Sequence, residues 1–175
     1  QLTGTNSYNK QLMGLYNVLS TPSILLAINI IITKLNLETL EETVDFLFQR
    51  GINSMEFKMF VPSLMVKNRE EIEVDLRSAV EKMERIIRSY SEEVLFVIQD
   101  TPPCVFADDI LESCLVLNSP IHEMSVTNKR GHLRCRRCRH KEKCAGIFDD
   151  YFAQDPDLFV SKPPKNTGRP DRNLL

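Results

Sequence analysis

The residues with the clearest chemical potential are Cys135, Cys138 and Cys144, which form a C-x2-C-x5-C array. A buried structural cysteine behaves as a small hydrophobe and has no reason to cluster with others, so core packing does not explain this array. We interpret the three thiols as metal ligands. A tetrahedral zinc site or an iron–sulfur cluster needs a fourth ligand. The best candidate is Cys104, which follows Pro102 and Pro103 directly.

The other possible ligands are predicted to have ordinary roles. Cys114 lies in an apolar run and is interpreted as a packed thiol, in keeping with the burial of most free cysteines. His132 and His140 are alternatives for the fourth position, and His140 lies between the second and third thiols. A histidine in such a basic segment is expected to face solvent.

Four thiolates fit either a [4Fe–4S] cluster or zinc, because both accept four sulfur ligands. Structural zinc sites usually pair two short units such as C-x2-C or H-x3-H. This sequence has one short unit, one trailing thiol and one distant upstream thiol. The asymmetry favours the iron–sulfur cluster, and zinc remains the alternative.

The basic charge of the chain is concentrated around the same cysteines. The net charge is −2, but residues 129–143 hold eight Lys or Arg against one Glu, a local charge of +7. Cations near a negatively charged cluster stabilise it. The segment could instead bind an acidic or nucleic-acid partner, or be a solvated loop. Nucleic acid is disfavoured because the segment has no aromatic side chain for base stacking.

The composition is that of a globular domain with an appended module. The chain has 175 residues, of which 42% are hydrophobic and 26% charged. It contains no apolar stretch long enough to span a membrane and no signal peptide. The polar start without methionine suggests an incomplete chain. The odd number of cysteines, 5, favours a reducing compartment, and we expect a cytoplasmic protein.

Hydrophobic periodicity predicts an α/β protein. Helices are expected at about 8–19, 37–48 and 70–90, and strands at 24–33, 54–61 and 94–98. The first strand is almost continuously apolar, which predicts burial on both faces of a parallel sheet. Asn36 is the predicted N-cap of the second helix and Gly51 its end. Functional groups are expected where the parallel strands end, at 33–36, 61–66 and 99–104.

Several of these segments together resemble the C-terminal half of a radical S-adenosylmethionine enzyme that carries an auxiliary iron–sulfur cluster. The resemblance covers about residues 1–152 and rests on the order of its parts. These are Leu2-Thr3-Gly4, the helix ending Gly14 to Leu19, the strand Ile28 to Thr33 with Asn36 beyond, the helix closed by Gly51, Phe60-Val61-Pro62, Pro103-Cys104, and Cys135-x2-Cys138-x5-Cys144-Ala145-Gly146-Ile147 with Tyr151 beyond.

The resemblance implies a partial (β/α)6 barrel, of which this chain would hold the fifth and sixth strands, and a cysteine-rich extension. It implies that S-adenosylmethionine lies near Asn29, Phe60 and Val61. For Asn29 a hydrogen bond to a helix end is the alternative, and for Phe60 and Val61 the alternative is core packing. The family's catalytic C-x3-C-x2-C motif does not occur in this sequence. The chain is therefore expected to be inactive alone: an N-terminal half is missing, which the polar start favours, or the chain is a degenerate remnant that retains only the accessory cluster.

The expected organisation has three parts: barrel residues 1–100, a cluster-bearing segment at 101–153, and a proline-rich flexible tail at 154–175. The expected function is radical-based modification of a peptide or small-molecule substrate, with Cys104, Cys135, Cys138 and Cys144 holding the auxiliary cluster and an electron donor as a further partner. No membrane partner is expected. The alternative is a zinc-stabilised binding module for an acidic or nucleic-acid partner, without enzymatic activity.

Overall fold

The structure is a computed structural model that describes residues 7–21, 24–60, 68–99, 101–117, 129–130, 133–141, 144 and 146–163. Up to residue 99, helices and strands alternate along the chain as predicted, except that two successive helices precede the third strand. The helices are α1 (Tyr8–Leu19), α2 (Leu40–Phe48), α3 (Arg69–Ile72), α4 (Leu76–Tyr90), α5 (Asp108–Ser113) and α6 (Asp149–Gln154). The strands are β1 (Ile28–Ile32), β2 (Ser54–Met59), β3 (Leu95–Gln99), β4 (Leu115–Leu117), β5 (Lys129–Arg130) and β6 (Ile147–Phe148).

Strands β1 to β4 form a parallel sheet in the order β1-β2-β3-β4, which confirms the predicted parallel α/β arrangement. The register places Ile30 beside Phe57, Phe57 beside Ile98, and Ile98 beside Val116. These side chains lie on one face of the sheet, because residues paired in register share a face. Strand β4 was not predicted, since its 3 residues are too few to produce a periodic signal.

The hydrophobic core lies on one face of the sheet, beneath α2 and α4. Most strand residues of this face are buried, with Ile28 and Val116 half-buried at its margins, and Phe57 stacks on Phe96 with ring centroids 5.3 Å apart. The two helices direct their apolar stripes at the same core. The helix residues buried there are Leu40, Val44 and Leu47 from α2 and Leu76, Ala79, Val80, Met83, Ile86 and Ile87 from α4.

The prediction that the first strand is buried on both faces is wrong. Burial alternates along β1, and Asn29 and Ile31 are exposed on the face opposite the core. The same face carries exposed Leu95, Leu115 and Leu117 from β3 and β4. Residues 24–27 precede the strand instead of extending it. The prediction failed because the exposed face also carries apolar side chains such as Ile31, so the sequence lacks the polar–apolar alternation that marks a strand with one exposed face.

Asn36 is not the N-cap of the second helix. Helix α2 begins at Leu40, with Thr39 in the N-cap position. Asn36 instead folds the turn after β1: its Oδ1 accepts from the backbone N–H of Thr33 at 2.8 Å, and its Nδ2 donates to the carbonyl oxygen of Ile31 at 2.9 Å. Helix α2 ends at Phe48, and Gly51 closes the turn after it as predicted: its N–H donates to the carbonyl oxygen of Phe48 at 2.8 Å, and its φ of 80° lies in the left-handed region that glycine adopts readily.

The helix predicted over 70–90 is two helices. Helix α3 ends at Ile72, Glu73 is extended, and α4 begins at Leu76. Asp75 is the N-cap of α4, and its side chain accepts a 2.8 Å hydrogen bond from the N–H of Ser78. The break lets the chain turn between the two helices.

Residues 146–163, which we call the C-terminal segment, pack onto the body of the domain. Phe148, Tyr151 and Phe159 are buried in the core. On the surface, Arg69 Nη2 lies 3.1 Å from Asp150 Oδ1, and Arg77 Nε donates to Asp155 Oδ2 at 2.7 Å. The part of the predicted tail that the structure describes, up to residue 163, is thus in contact with the body. None of the helices in the described ranges has the length and apolar content to cross a bilayer.

Candidate metal centre

Cys104 is held at the carboxyl end of the parallel sheet. The chain leaves β3, passes the buried Pro102 and Pro103, and forms a short 3-10 turn over Pro103–Val105. Phe106, at the end of the turn, is 1% exposed. Cys104 is therefore a half-buried thiol on a backbone fixed by buried neighbours on both sides.

The other thiols lie in residues 135–144, which we call the cysteine loop. Its base is closed by the antiparallel pair of β5 and β6, where Lys129 lies opposite Phe148 and Arg130 opposite Ile147. Within the loop, the N–H of Cys138 donates to the carbonyl oxygen of Cys135 at 3.1 Å. The N–H of Lys141 donates to the carbonyl oxygen of Cys138 at 3.1 Å. Cys135 and Cys138 therefore each begin a tight turn, and the two turns follow one another directly.

Gly146 supplies a backbone donor to the third loop thiol. Its N–H donates to the sulfur of Cys144, with N and Sγ 3.4 Å apart. Its φ is 84°, a conformation that residues other than glycine rarely adopt. A hydrogen bond to sulfur favours the thiolate, the form that binds metal.

The loop thiols lie close enough to Cys104 to influence its ionisation. The pKa of the Cys104 thiol is raised to about 12. Burial is the largest cause, and the negative charges of the three loop thiols as thiolates are the next. The structure thus brings together the four cysteines that the sequence singled out, one from the sheet and three from the cysteine loop.

The thiols do not converge to coordination distance. No group of three or more His, Cys, Asp or Glu side chains is arranged to hold a metal ion in the described ranges. This finding is compatible with the raised pKa of Cys104, because the charge of a thiolate acts over distances much longer than a metal–sulfur bond. We describe the four thiols as neighbours whose donor chemistry fits zinc or an iron–sulfur cluster, and their role as ligands stays a prediction.

The remaining candidate ligands differ in their surroundings. Cys114 is 9% exposed, as predicted for a packed thiol, and burial raises its pKa to about 11. His140 is half-buried, and its Nε2 accepts a 3.0 Å hydrogen bond from Arg139 Nε. His132 lies outside the described residues.

Two of the residues predicted to face S-adenosylmethionine are described by the structure: Asn29 lies on the face of the sheet opposite the core, and Phe60 directly follows β2. Asn29 is exposed there, and its Nδ2 donates to Glu56 Oε1 at 3.3 Å, so its partner is a neighbouring strand and not a helix end. Phe60 is half-buried, and its carbonyl oxygen accepts from the Tyr151 hydroxyl at 2.6 Å. Val61 lies outside the described residues. The predicted contact with S-adenosylmethionine stays a prediction.

Sequence reasoning did not find the polar residues that support the loop. Asp108 Oδ1 lies 2.9 Å from Arg139 Nη2 and 2.9 Å from Lys162 Nζ. Gly146 was noted only as part of a motif. The available signal was charge complementarity, since the acidic pair Asp108 and Asp109 follows closely after Cys104 while the cysteine loop is strongly basic.

Comparison of the chain with models of protein families, with characterised proteins and with solved structures gives no significant match.

Proposed function

We propose that this chain is the C-terminal portion of a radical S-adenosylmethionine enzyme, in which Cys104 and the three loop thiols hold an auxiliary [4Fe–4S] cluster. The observation that carries the proposal is the 2.9 Å contact of Arg139 Nη2 with Asp108 Oδ1, which ties the cysteine loop to the helix that begins four residues after Cys104. The raised pKa of the Cys104 thiol agrees with thiols of the loop lying near it. Four thiolates match the ligand set of such a cluster, which supplies one-electron chemistry when bound.

The chain's own residues suit a negatively charged centre. The Gly146 N–H donates to the Cys144 sulfur, and Arg139, which directly follows the second loop thiol in sequence, has a side chain that is only 18% exposed. Hydrogen bonds to sulfur and nearby positive charge both stabilise thiolates and raise the reduction potential of a cluster. In this proposal the cysteine loop binds the centre and orients it toward the end of the sheet.

The uncovered face of the sheet supports the enzyme part of the proposal. Parallel sheets are normally covered on both faces. Here the face opposite the core combines exposed apolar side chains with Asn29, Glu56, Lys58 and Gln99, which neighbouring strands align in register. Convergent polar groups on an apolar surface are typical of a small-molecule site. We interpret this face as one wall of a cavity for S-adenosylmethionine and a peptide or small-molecule substrate.

The other wall would be supplied by the N-terminal half of the barrel. The C-x3-C-x2-C motif that the family uses to cleave S-adenosylmethionine is not in this sequence. Catalysis by this chain therefore requires the other half, with an external electron donor.

A zinc-stabilised module that binds an acidic partner is the second candidate. The side chains of Arg136, Arg137 and Lys141 are exposed on the cysteine loop, which favours contact with anionic groups. Because both candidate functions use the same thiols, the identity of the bound metal distinguishes them.

The test is anaerobic reconstitution of the metal-free chain with iron and sulfide. We expect four iron and four sulfide per chain, the composition of the cluster, and an electron paramagnetic resonance signal on reduction. Cys104→Ala is expected to lower the iron content and change that signal. Cys114→Ala is the matched control and should match the wild type, because Cys114 is a packed thiol.

Two outcomes would count against the proposal. Colourless protein that takes up one zinc and no iron supports the binding module instead. Equal loading and identical spectra of the Cys104→Ala and Cys114→Ala variants would show that Cys104 is not a ligand.

A further inference from the structure

Asp108 connects three segments that are distant in sequence. It is the first residue of α5 and lies four positions after Cys104. Its Oδ1 accepts from Arg139 Nη2 at 2.9 Å and lies 2.9 Å from Lys162 Nζ. Arg139 directly follows Cys138 in the cysteine loop, whereas Lys162 belongs to the C-terminal segment. Asp108 Oδ1 thus contacts one cation from the cysteine loop and one from the C-terminal segment.

The two cationic segments are also bonded to each other. The backbone N–H of Arg139 donates to the carbonyl oxygen of Lys162 at 2.8 Å. The side chains of Arg139 and Lys162 are only 18% and 20% exposed, whereas that of Asp108 is 49% exposed. Charges that are mostly covered lose hydration and depend on a charged partner, so neutralising Asp108 would leave both cations poorly paired.

Asp108 stands on a rigid base. Val105, Phe106 and Ile110 flank it and are all buried in the core. The backbone between Cys104 and Asp108 is therefore fixed, and holding Arg139 against Asp108 also fixes how far Cys138 lies from Cys104.

We propose that Asp108 is a positioning residue that clamps the cysteine loop and the C-terminal segment onto the Cys104 side of the candidate metal centre. This inference rests on the proposed use of the four thiols as ligands. It adds a residue that does not touch the metal but determines whether Cys104 can join the loop thiols. Outer residues that orient ligands typically change metal affinity by about 10-fold to 100-fold.

The test uses Co²⁺ titrated anaerobically into the metal-free protein, with the thiolate-to-cobalt charge-transfer absorption as readout. Its intensity increases with the number of thiolates bound. For Asp108→Asn we expect about 10-fold weaker binding and the reduced intensity of Cys104→Ala. Asp108→Glu keeps the charge and should recover part of both. Lys162→Met, which leaves the Arg139 contact in place, should show a smaller loss of affinity.

Asp109→Asn is the matched control. Asp109 is next in the same helix, but it pairs with Arg88 Nε of α4 at 2.9 Å and not with the loop. It should bind Co²⁺ with wild-type affinity and intensity. The clamp is refuted if Asp108→Asn behaves like this control, or if Asp108→Glu recovers nothing while circular dichroism shows every variant folded.

A second measurement separates the clamp from the metal proposal. In a background with Cys114, Cys135 and Cys144 replaced by serine, a short bis-maleimide crosslinks Cys104 to Cys138 without any metal. Asp108→Asn should slow this crosslink several-fold relative to Asp109→Asn. If the wild type takes up no cobalt but the crosslink slows, the metal proposal fails and the clamp stands. An unchanged crosslinking rate overturns the clamp.

Discussion

The hydroxyl of Tyr151 links helix α6 to the end of strand β2. It donates to the carbonyl oxygen of Phe60 at 2.6 Å, and Tyr151 is 3% exposed. Phe60 is half-buried and the Tyr151 side chain lies over its carbonyl oxygen, so a carbonyl that loses this donor is poorly placed to bond to water instead. This bond therefore holds the C-terminal segment against the end of β2.

Tyr151→Phe is expected to lower the free energy of unfolding by about 1–2 kcal/mol, because it removes one buried hydrogen bond without removing the ring. Urea unfolding of the metal-free protein measures this. Tyr16→Phe is the control: Tyr16 is 45% exposed, so the change should stay below about 0.5 kcal/mol. Equal effects of the two substitutions would contradict the role given to the Tyr151 bond.

The same hydroxyl makes this difference depend on pH. Burial, followed by the charge of Glu73, raises the pKa of Tyr151 above the ordinary value of 10.0. Above pH 10 the unfolded chain releases this proton while the folded protein keeps it, so stability falls as pH rises. The advantage of the wild type over Tyr151→Phe is thus complete below pH 10 and decreases above it. A difference that stays constant in alkaline urea titrations would argue against a buried, protonated hydroxyl.

At the scale of elements, the start of α4 is fixed by a single side chain. Asp75 Oδ1 accepts from the N–H of Ser78 at 2.8 Å and from the Ser78 hydroxyl at 2.7 Å. Without this cap the first turn of α4 would leave a backbone donor unsatisfied. Since α4 contributes much of the core, the cap also supports the layer behind the sheet.

Asp75→Ala is expected to destabilise the protein by about 1 kcal/mol, the usual cost of removing an N-cap. Glu81→Ala, on the exposed side of the same helix, should change the free energy of unfolding by less than about 0.5 kcal/mol. Thermal or urea unfolding of the three proteins makes the comparison. The cap is not needed if both variants match the wild type.

The break before α4 shows how far periodicity predicts elements. The apolar stripe of residues 76–87 continues a helical spacing from Ile72, so spacing alone predicts one helix. Asp75 is instead the N-cap of α4, because its side chain accepts hydrogen bonds from Ser78. Asn36 shows the opposite case, because its side chain folds a turn where a cap was predicted. Polar side chains that hydrogen-bond to the nearby backbone therefore determine where helices begin and end. These hydrogen bonds form only in the folded backbone, so the sequence alone does not predict them.

At the scale of the whole molecule, the core covers one face of the sheet, and no described helix covers the other, which carries exposed side chains such as Ile31 and Leu95. Layering and strand direction were predictable from the alternation of helices and strands. Which side faces the core was not, because Ile31, Leu95 and Leu117 make the uncovered face apolar too and remove the expected alternation. The spacing of the cysteines predicts a metal site, and that role stays a prediction. The contacts of Asp108 with Arg139 and Lys162 could not be predicted, because only the fold brings these three residues together.

Two neighbouring residues of β1 test the difference between the faces. Ile32 is fully buried and Ile31 is 50% exposed. Ile32→Thr buries a hydroxyl and removes core packing, so we expect a loss of at least about 2 kcal/mol. Ile31→Thr keeps a β-branched residue and should cost less than about 0.5 kcal/mol in this chain. Urea unfolding distinguishes them, and similar losses would contradict the assignment of faces.

The strand order has a consequence for assembly. Because β1 and β4 end the row within the described part of the sheet, each presents an outer line of backbone N–H and carbonyl groups to whatever lies alongside. Additional strands can extend the sheet there through main-chain hydrogen bonds, which do not depend on side-chain identity. Another strand could therefore join the sheet edge to edge, and the sequence of that strand would be free to vary along the shared edge.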